Sequence, residues 1–557
     1  MTATSAPRSA RRSVARSVPR SAARSASRSA SRSVSRRNAL RALAVAVALV
    51  GTSTPAFGGT ALTGTAFAAE PETYTLTVKH LDRAGRATAP YRTSVTGISG
   101  PGADTSVQLD APSGTTTVRL PKGRYLLDSN LTSGLEPGGT IWTDWIVQPR
   151  LDLDHDTTVT VDARTTALVD VRPPDDTARF RHSGMFVEVT HEGATRTVNV
   201  ANGSPNLRVA HLGPETGAGE VKQWFDVNWE TGTRGYLLGR TFSGTRALTG
   251  LSKRYSAREL ATVNIRGAAG PGGAGTALVS LQPTDGASIG ESRSIATPGT
   301  ATFLVAPERG TWDIGVTVPR ADGSRPNHYT ADRLAVRAGT TTTHTFDGPV
   351  FGPALTDRPA VSRDGDRITA DVPLLADGDG HAPWTPSFDT AHTSLYRDGV
   401  LVGAASGAAG RGEFTVTPDK ASYRLAATAT RKAAAGATTR VNASWTFTSA
   451  ATTGPTALPV SVVRFSPELT PAGTATAGSP LRVPITVQGA AADGRARSLT
   501  VSASTDGGAS WTRLPVEAGA VTVQNPPAGT AVSLRAELTD ADGNTLDQTI
   551  SDAYRTR

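Results

Sequence analysis

Tyr74, Leu76 and Val78 alternate with Thr75, Thr77 and Lys79 in "YTLTVKHL", and this two-residue period recurs along the chain. It predicts strands that bury one face and wet the other. "DRAGRA" (82–87) then breaks the run as a hairpin turn. "GTTTVRLPKGRYLLD" (114–128) reads as strand, Pro-Lys-Gly turn and strand, and "LDLDHDTTVTVDA" (151–163) closes the unit. No stretch carries a sustained 3.6-residue period, so the expectation is an all-β chain.

The same order returns in "LATVNIRGAAGPGGAGTALVSLQ" (260–282), "GTATFLVAPERGTWDIGVTV" (299–318) and "LAVRAGTTTTHTF" (334–346). Gly114/Gly299, Pro121/Pro307 and Leu151/Leu334 are 185, 186 and 183 residues apart. That near-constant offset predicts two copies of one domain with a different one between them. Further on, "TSLYRDGVLVG" (393–403) places an Arg-Asp-Gly turn between apolar runs, and "TTGPTALP" (452–459) reads as a linker. The expected architecture is tandem β-sandwich domains, immunoglobulin- or fibronectin-like, after a disordered leader. Its parts are a leader at 1–68 and β-sandwich or β domains at 69–165, 166–257, 258–347, 348–452 and 453–557.

Charge changes this picture only at the N-terminus. The chain carries +9, but all eleven basic residues of the first 41 are Arg and the first acid is Glu70, so residues 69–557 carry about −2. A body without a basic surface argues against a nucleic-acid partner. The Arg/Ser tract (8–37) has too few apolar residues to build a core. "SRRNALR" (35–41) resembles a twin-arginine export signal, with an ordinary basic n-region as the other reading. The nine apolar residues 42–50 suit a signal peptide better than a membrane span. "AFA" (66–68) puts small residues before a cut that would leave Ala69 first; an earlier cut would follow Ala56. The expectation is a secreted, extracellular protein with no membrane span once the signal is removed. There is no Cys, so burial and sheet hydrogen bonds must hold it.

Candidate chemistry is sparse. Ser504, Asp506, Gly508 and Trp511 match one Asp-box, S-x-D-x-G-x-x-W, read here as a structural hairpin turn with Trp511 in the core. "LRVP" (481–484) resembles a sialidase arginine motif, but only 73 residues follow Pro484, too few for a propeller. Ser288 in "GASIG" fits G-x-S-x-G, without the flanking strand and helix that a hydrolase elbow requires. The nine His show no zinc-ligand spacing.

Asp152, Asp154 and Asp156 would share one strand face, as calcium ligands or as a solvated face; Asp540, Asp542, Asn544 and Asp547 suit a calcium loop or a turn. No other cofactor is expected. The close pairs Trp142/Trp145 and Trp224/Trp229 would stack on sugar rings if exposed, and otherwise belong to the core. No complete catalytic constellation emerges, so the reading is a non-catalytic binding or accessory module. Its partner would be an extracellular protein or a cell-surface polysaccharide. An enzyme of unrecognised type is the remaining alternative.

"YTLTVKHLDRAGRA", "VRLPKGRYLLDS", "RSLTVSASTDGGASWTRLPV" and "VSLRAELTDADGNTLDQTISDAYR" together resemble the long C-terminal region of secreted subtilisin-like serine peptidases of high-GC Gram-positive bacteria. The likeness spans about 74–165 and 390–557. That family's catalytic motifs are D-[ST]-G, H-G-T and G-T-S-M-A. Here H-G-T is missing and the only "GTS" (51–53) lies in the leader. The resemblance therefore implies an accessory region without its peptidase, and no catalytic residue carries over.

Overall fold

Two antiparallel-rich sheets of three and four strands enclose the first core. In the computed structural model, residues 71–557 are described, except 111, 321, 322, 324 and 433–437; the expected export signal and cleavage site lie outside them. The first seven strands are β1 (Thr73–Leu81), β2 (Tyr91–Ser99), β3 (Ser106–Leu109), β4 (Thr115–Pro121), β5 (Gly123–Ser133), β6 (Trp142–Leu153) and β7 (Thr157–Asp162). They pair as β4-β1-β7 and β3-β2-β5-β6. Leu76, Val78, Val95, Leu127 and Ile146 meet between the sheets, as the alternation requires.

The next seven are β8 (Ala167–Arg172), β9 (Arg179–His191), β10 (Ala194–Asn202), β11 (Leu207–His211), β12 (Val221–Thr231), β13 (Arg234–Gly244) and β14 (Leu251–Arg254). They pair as β11-β8-β14 and β10-β9-β12-β13. Then come β15 (Ala261–Gly267), β16 (Gly275–Pro283), β17 (Glu291–Thr297), β18 (Gly299–Val305), β19 (Thr311–Val318), β20 (Asn327–Ala335) and β21 (Thr341–Phe346). Their sheets are β18-β15-β21 and β17-β16-β19-β20. In every set the order is fourth-first-seventh over third-second-fifth-sixth. The stretch between the two expected copies is thus a third sandwich of the same topology.

The three are joined strand to strand. β6 pairs in parallel with β11, and β13 in parallel with β18, so the four-stranded sheet of each sandwich runs on into the three-stranded sheet of the next. Strands near these joins are covered on both faces. Tyr125, Leu127 and Ile146 face the first core, whereas Leu126, Trp145 and Val147 face the second. Tyr236 and Leu238 face the second core and Leu237 the third. Double covering explains why these strands read as continuous apolar runs.

Residues 348–557 form two more sandwiches around one shared core. The first packs a sheet of Val361–Gly365, Arg367–Asp371, Arg411–Thr415 and Thr452–Ala457 against one of Thr390–Arg397, Val400–Ser406, Ala421–Thr430 and Arg440–Ser449. The second packs Ser461–Phe465, Pro480–Gly489 and Ala520–Gln524 against Ala496–Ser504, Thr512–Leu514, Ala531–Asp540 and Thr545–Thr556. Arg440–Thr446 pairs with Thr545–Ser551, again making one continuous sheet. The expected linker at 452–459 is instead an edge strand paired with Val361–Gly365.

Candidate functional site

Each of the first three joins buries a cluster of charged or hydrogen-bonded polar groups. At the first join the parallel register sets Arg208 of β11 opposite Asp144 of β6. Arg208 Nε and Nη2 donate to the two Asp144 oxygens at 2.6 and 3.0 Å, and Thr166 Oγ1 donates at 2.6 Å. This bidentate geometry is the strong form of the pair. The same guanidinium lies 4.1 Å above the Trp142 ring. Beside it opens a cleft of about 290 Å³ lined by Asp82, Arg83, Arg86, Thr88, Leu131 and Asp144. Its cations already have partners: Arg86 bonds Asp82, and Arg83 donates to the Ala163 carbonyl and Thr166.

At the second join Arg309 is completely buried, with Nε 2.6 Å from Asp226 Oδ1 and two further bonds to the Asp285 and Ala287 carbonyls. Burial pushes the Asp226 carboxyl up, and the Arg309 charge opposes that rise. Gly286, at φ +70°, lets the 284–290 loop settle on the Trp224 ring, where a Cβ would sit 2.2 Å from ring carbons. At the third join Tyr329 donates to Asp347 Oδ1 at 2.6 Å, and the Asp347 N–H donates to Asp377 Oδ2 at 3.1 Å. His381 bonds Asp377 and stacks on Phe346 at 4.1 Å. Burial pushes Asp347 up to about 7.

The tryptophan pairs do not form a sugar-stacking face. Trp145 and Trp224 are 1% exposed and Trp229 7%, all in the second core or against the 284–290 loop. Trp145 Nε1 donates to Asp128 and Trp229 Nε1 to the Val171 carbonyl. Trp142 is partly exposed, but Arg208 covers its face. Of the two readings, the core one describes Trp145, Trp224 and Trp229, because the second sandwich covers a second face of β6 and the 284–290 loop covers the Trp224 face of β12. The exposed tryptophan is Trp384, at 68%, edge-on to His328 with centroids 5.2 Å apart. Its signal was Pro383 and Pro386, which mark a loop where an aromatic has no strand face to bury against.

The Asp-box is a turn. Gly508 N–H donates to Ser504 Oγ at 2.9 Å and Ser510 N–H to Asp506 Oδ1 at 3.0 Å. Bonds from the Ser510 hydroxyl, the Ser504 hydroxyl and the Ser510 N–H hold the Asp506 carboxyl well below the usual range. Trp511 lies over Gly508 half-buried, not in the core as expected, because only the short strand Thr512–Leu514 follows it.

Asp152, Asp154 and Asp156 do not share a face, since β6 ends at Leu153; they bond Arg150, His155 and the Thr75 N–H separately. Asp540 accepts the Asp542 and Asn544 N–H groups within its turn, while Asp542 and Asp547 pair with Arg495 and Arg535. Ser288 donates to the Pro283 carbonyl within its loop. Among the described residues, no three His, Cys, Asp or Glu side chains are grouped to hold a metal.

No protein-family description matches the chain, and no curated protein does. Among solved structures it is similar to BcpA, the major pilin subunit of Bacillus cereus, at 10% identity over 49% of this chain and 99% of that one, with a TM-score of 0.12. It is also similar to the Bacillus anthracis TIE protein, at 14% identity over 60% and 63%, TM-score 0.13. A third likeness is to Sidekick-1 immunoglobulin domains 1–5, at 11% over 82% and 91%, TM-score 0.11. The architecture rests on the strand pairings rather than on these likenesses.

Proposed function

We propose that the chain is an exported, non-catalytic scaffold that binds an extracellular protein, akin to the accessory region of subtilisin-like peptidases. The observation that carries this reading is the joining of sandwiches through continuous sheets with buried ion pairs. Such joins fix the spacing of surface features, and their charged groups are committed to structure. The residues resembling a peptidase tail supply the kinship, and the Arg-rich leader supplies the export reading. A second reading, binding to a surface polysaccharide, draws on the exposed ring of Trp384.

The test is co-sedimentation of residues 69–557 with the producer's cell wall, chitin and cellulose, alongside passage over the producer's immobilised secreted proteins. The protein is expected to stay in solution with all three polysaccharides and to be retained by the proteins, beginning with the peptidases. Depletion by a polysaccharide that is lost in Trp384→Ala would transfer the function to the second reading. Turnover of peptide or glycoside substrates would overturn both.

A further inference from the structure

The three matched sandwiches leave one position unfilled. The fourth strand of the second sandwich, β11, and that of the third, β18, each receive a parallel strand from the sandwich before. Among the described residues, the fourth strand of the first sandwich, β4, pairs only with β1. His80 and Lys122 donate to the Gly114 and Glu72 carbonyls, which sets the alternation: Thr116, Val118 and Leu120 bond inward, and Thr115, Thr117 and Arg119 face outward. The Thr115 carbonyl is taken by Ser113 and the Pro121 carbonyl by Tyr125. No described residue meets the N–H and C=O groups of Thr117 and Arg119, and both residues are exposed. At the far end, the sixth strand of the third sandwich has its N-terminal edge occupied: Trp384 N–H donates to the His328 carbonyl, and Thr385 bonds the Pro326 carbonyl. Among the described residues the array thus has one open acceptor and no matching free donor.

Resting on the binding-module reading above, we infer that the β4 edge accepts a parallel strand from a partner protein, one carrying an aromatic and an acidic residue two positions apart. The first join shows that chemistry in place. There Trp142 and Asp144 of the incoming strand enclose Arg208, the cation on the acceptor. On β4 the cation is Arg119, which among the described residues bonds only Thr73 on the neighbouring strand. Backbone bonds from Thr117 and Arg119 give affinity, and the Arg119 pair gives register.

The probe is a capped peptide of residues 141–149, "IWTDWIVQP", titrated against 69–557. Saturable binding below millimolar is expected. It should weaken at least tenfold when every second peptide nitrogen is methylated in one of the two registers. Thr117→Pro removes an outward donor while sparing the inward ladder, and should abolish binding with the circular dichroism spectrum unchanged. Arg119→Glu should weaken binding tenfold, and a peptide with Asp144→Lys should restore it. No saturable binding, or binding indifferent to both variants, overturns the inference. So does binding to 69–557 but not to the full chain, which would make residues 1–68 the occupant. Self-association of 69–557 abolished by Thr117→Pro would make a second copy the occupant, also overturning it. Retention by secreted proteins that persists in both variants leaves the proposed function standing without this edge.

Discussion

Arg309 and Asp226 show what a buried charge does at a join. Neither reaches solvent, and their 2.6 Å bond closes the second sandwich on the third. Arg309→Met strands the Asp226 carboxylate, and should cost about 3–5 kcal/mol in urea unfolding. The double change Asp226→Leu with Arg309→Met should recover most of that loss, since removing both charges removes the desolvation cost. Two other buried groups set opposite pH dependences. Asp347, raised from 3.8 to about 7 by burial, keeps a proton that the unfolded chain releases. Its stabilisation is complete below about pH 4 and lost as pH rises through 7. His80, lowered from 6.5 to about 4 by burial against Tyr91, does the reverse. Its contribution is complete above 6.5 and lost as pH falls towards 4. Melting temperatures from pH 4 to 7 should therefore decline less toward neutral pH in Asp347→Asn, and less toward acid in His80→Gln, than in the wild type.

Strands shared between two cores govern the next scale. In residues 69–165 alone, Leu126, Trp145 and Val147 would lose their covering and form an apolar patch. That fragment should self-associate and melt well below 69–347, in which every shared strand keeps both neighbours; sedimentation and calorimetry check this. The same sharing decides how much was legible in the sequence. β1 reads plainly because Leu76 and Val78 are buried while Lys79 is exposed. β6 does not, because seven consecutive residues from Thr143 to Pro149 are buried. Trp145 could then be placed neither on a surface nor in a particular core. The second sandwich escaped the repeat pattern because β8 and β11 have only six and five residues, and β11 bears Arg208 for the join. Pro455 marked a linker, yet it sits on an edge strand, where a missing N–H is tolerated. The Asp-box turn was legible because its bonds are local; the burial of Trp511 was not, because that depends on how long the next strand is.

At the scale of the whole molecule, the joins are not alike. The first and second, and that between the last two sandwiches, continue a sheet across the boundary. The join between the third sandwich and residues 348–557 has no such ladder. It is held by a cluster, in which the Asp347 N–H bonds Asp377, the Gly378 N–H bonds the Gly348 carbonyl and His381 stacks against Phe346, and by the loop contacts of Trp384 and Thr385 with the His328 and Pro326 carbonyls. Side-chain networks of this sort fail together when one member is removed, whereas a ladder loses one bond at a time. With no disulfide available as a second restraint, this is where motion should begin. Asp377→Ala should therefore speed amide exchange at Asp347 and Gly378 while leaving the β6–β11 and β13–β18 ladders protected. In X-ray scattering the wild-type 69–557 should fit one conformer, and Asp377→Ala should need an ensemble of two bodies, 69–347 and 348–557. Wild-type scattering that already needs the ensemble would mean that the polar cluster does not hold this join. A variant as rigid as the wild type would place the restraint in the surrounding loop contacts, such as the Ala269 N–H bonded to the Pro471 carbonyl.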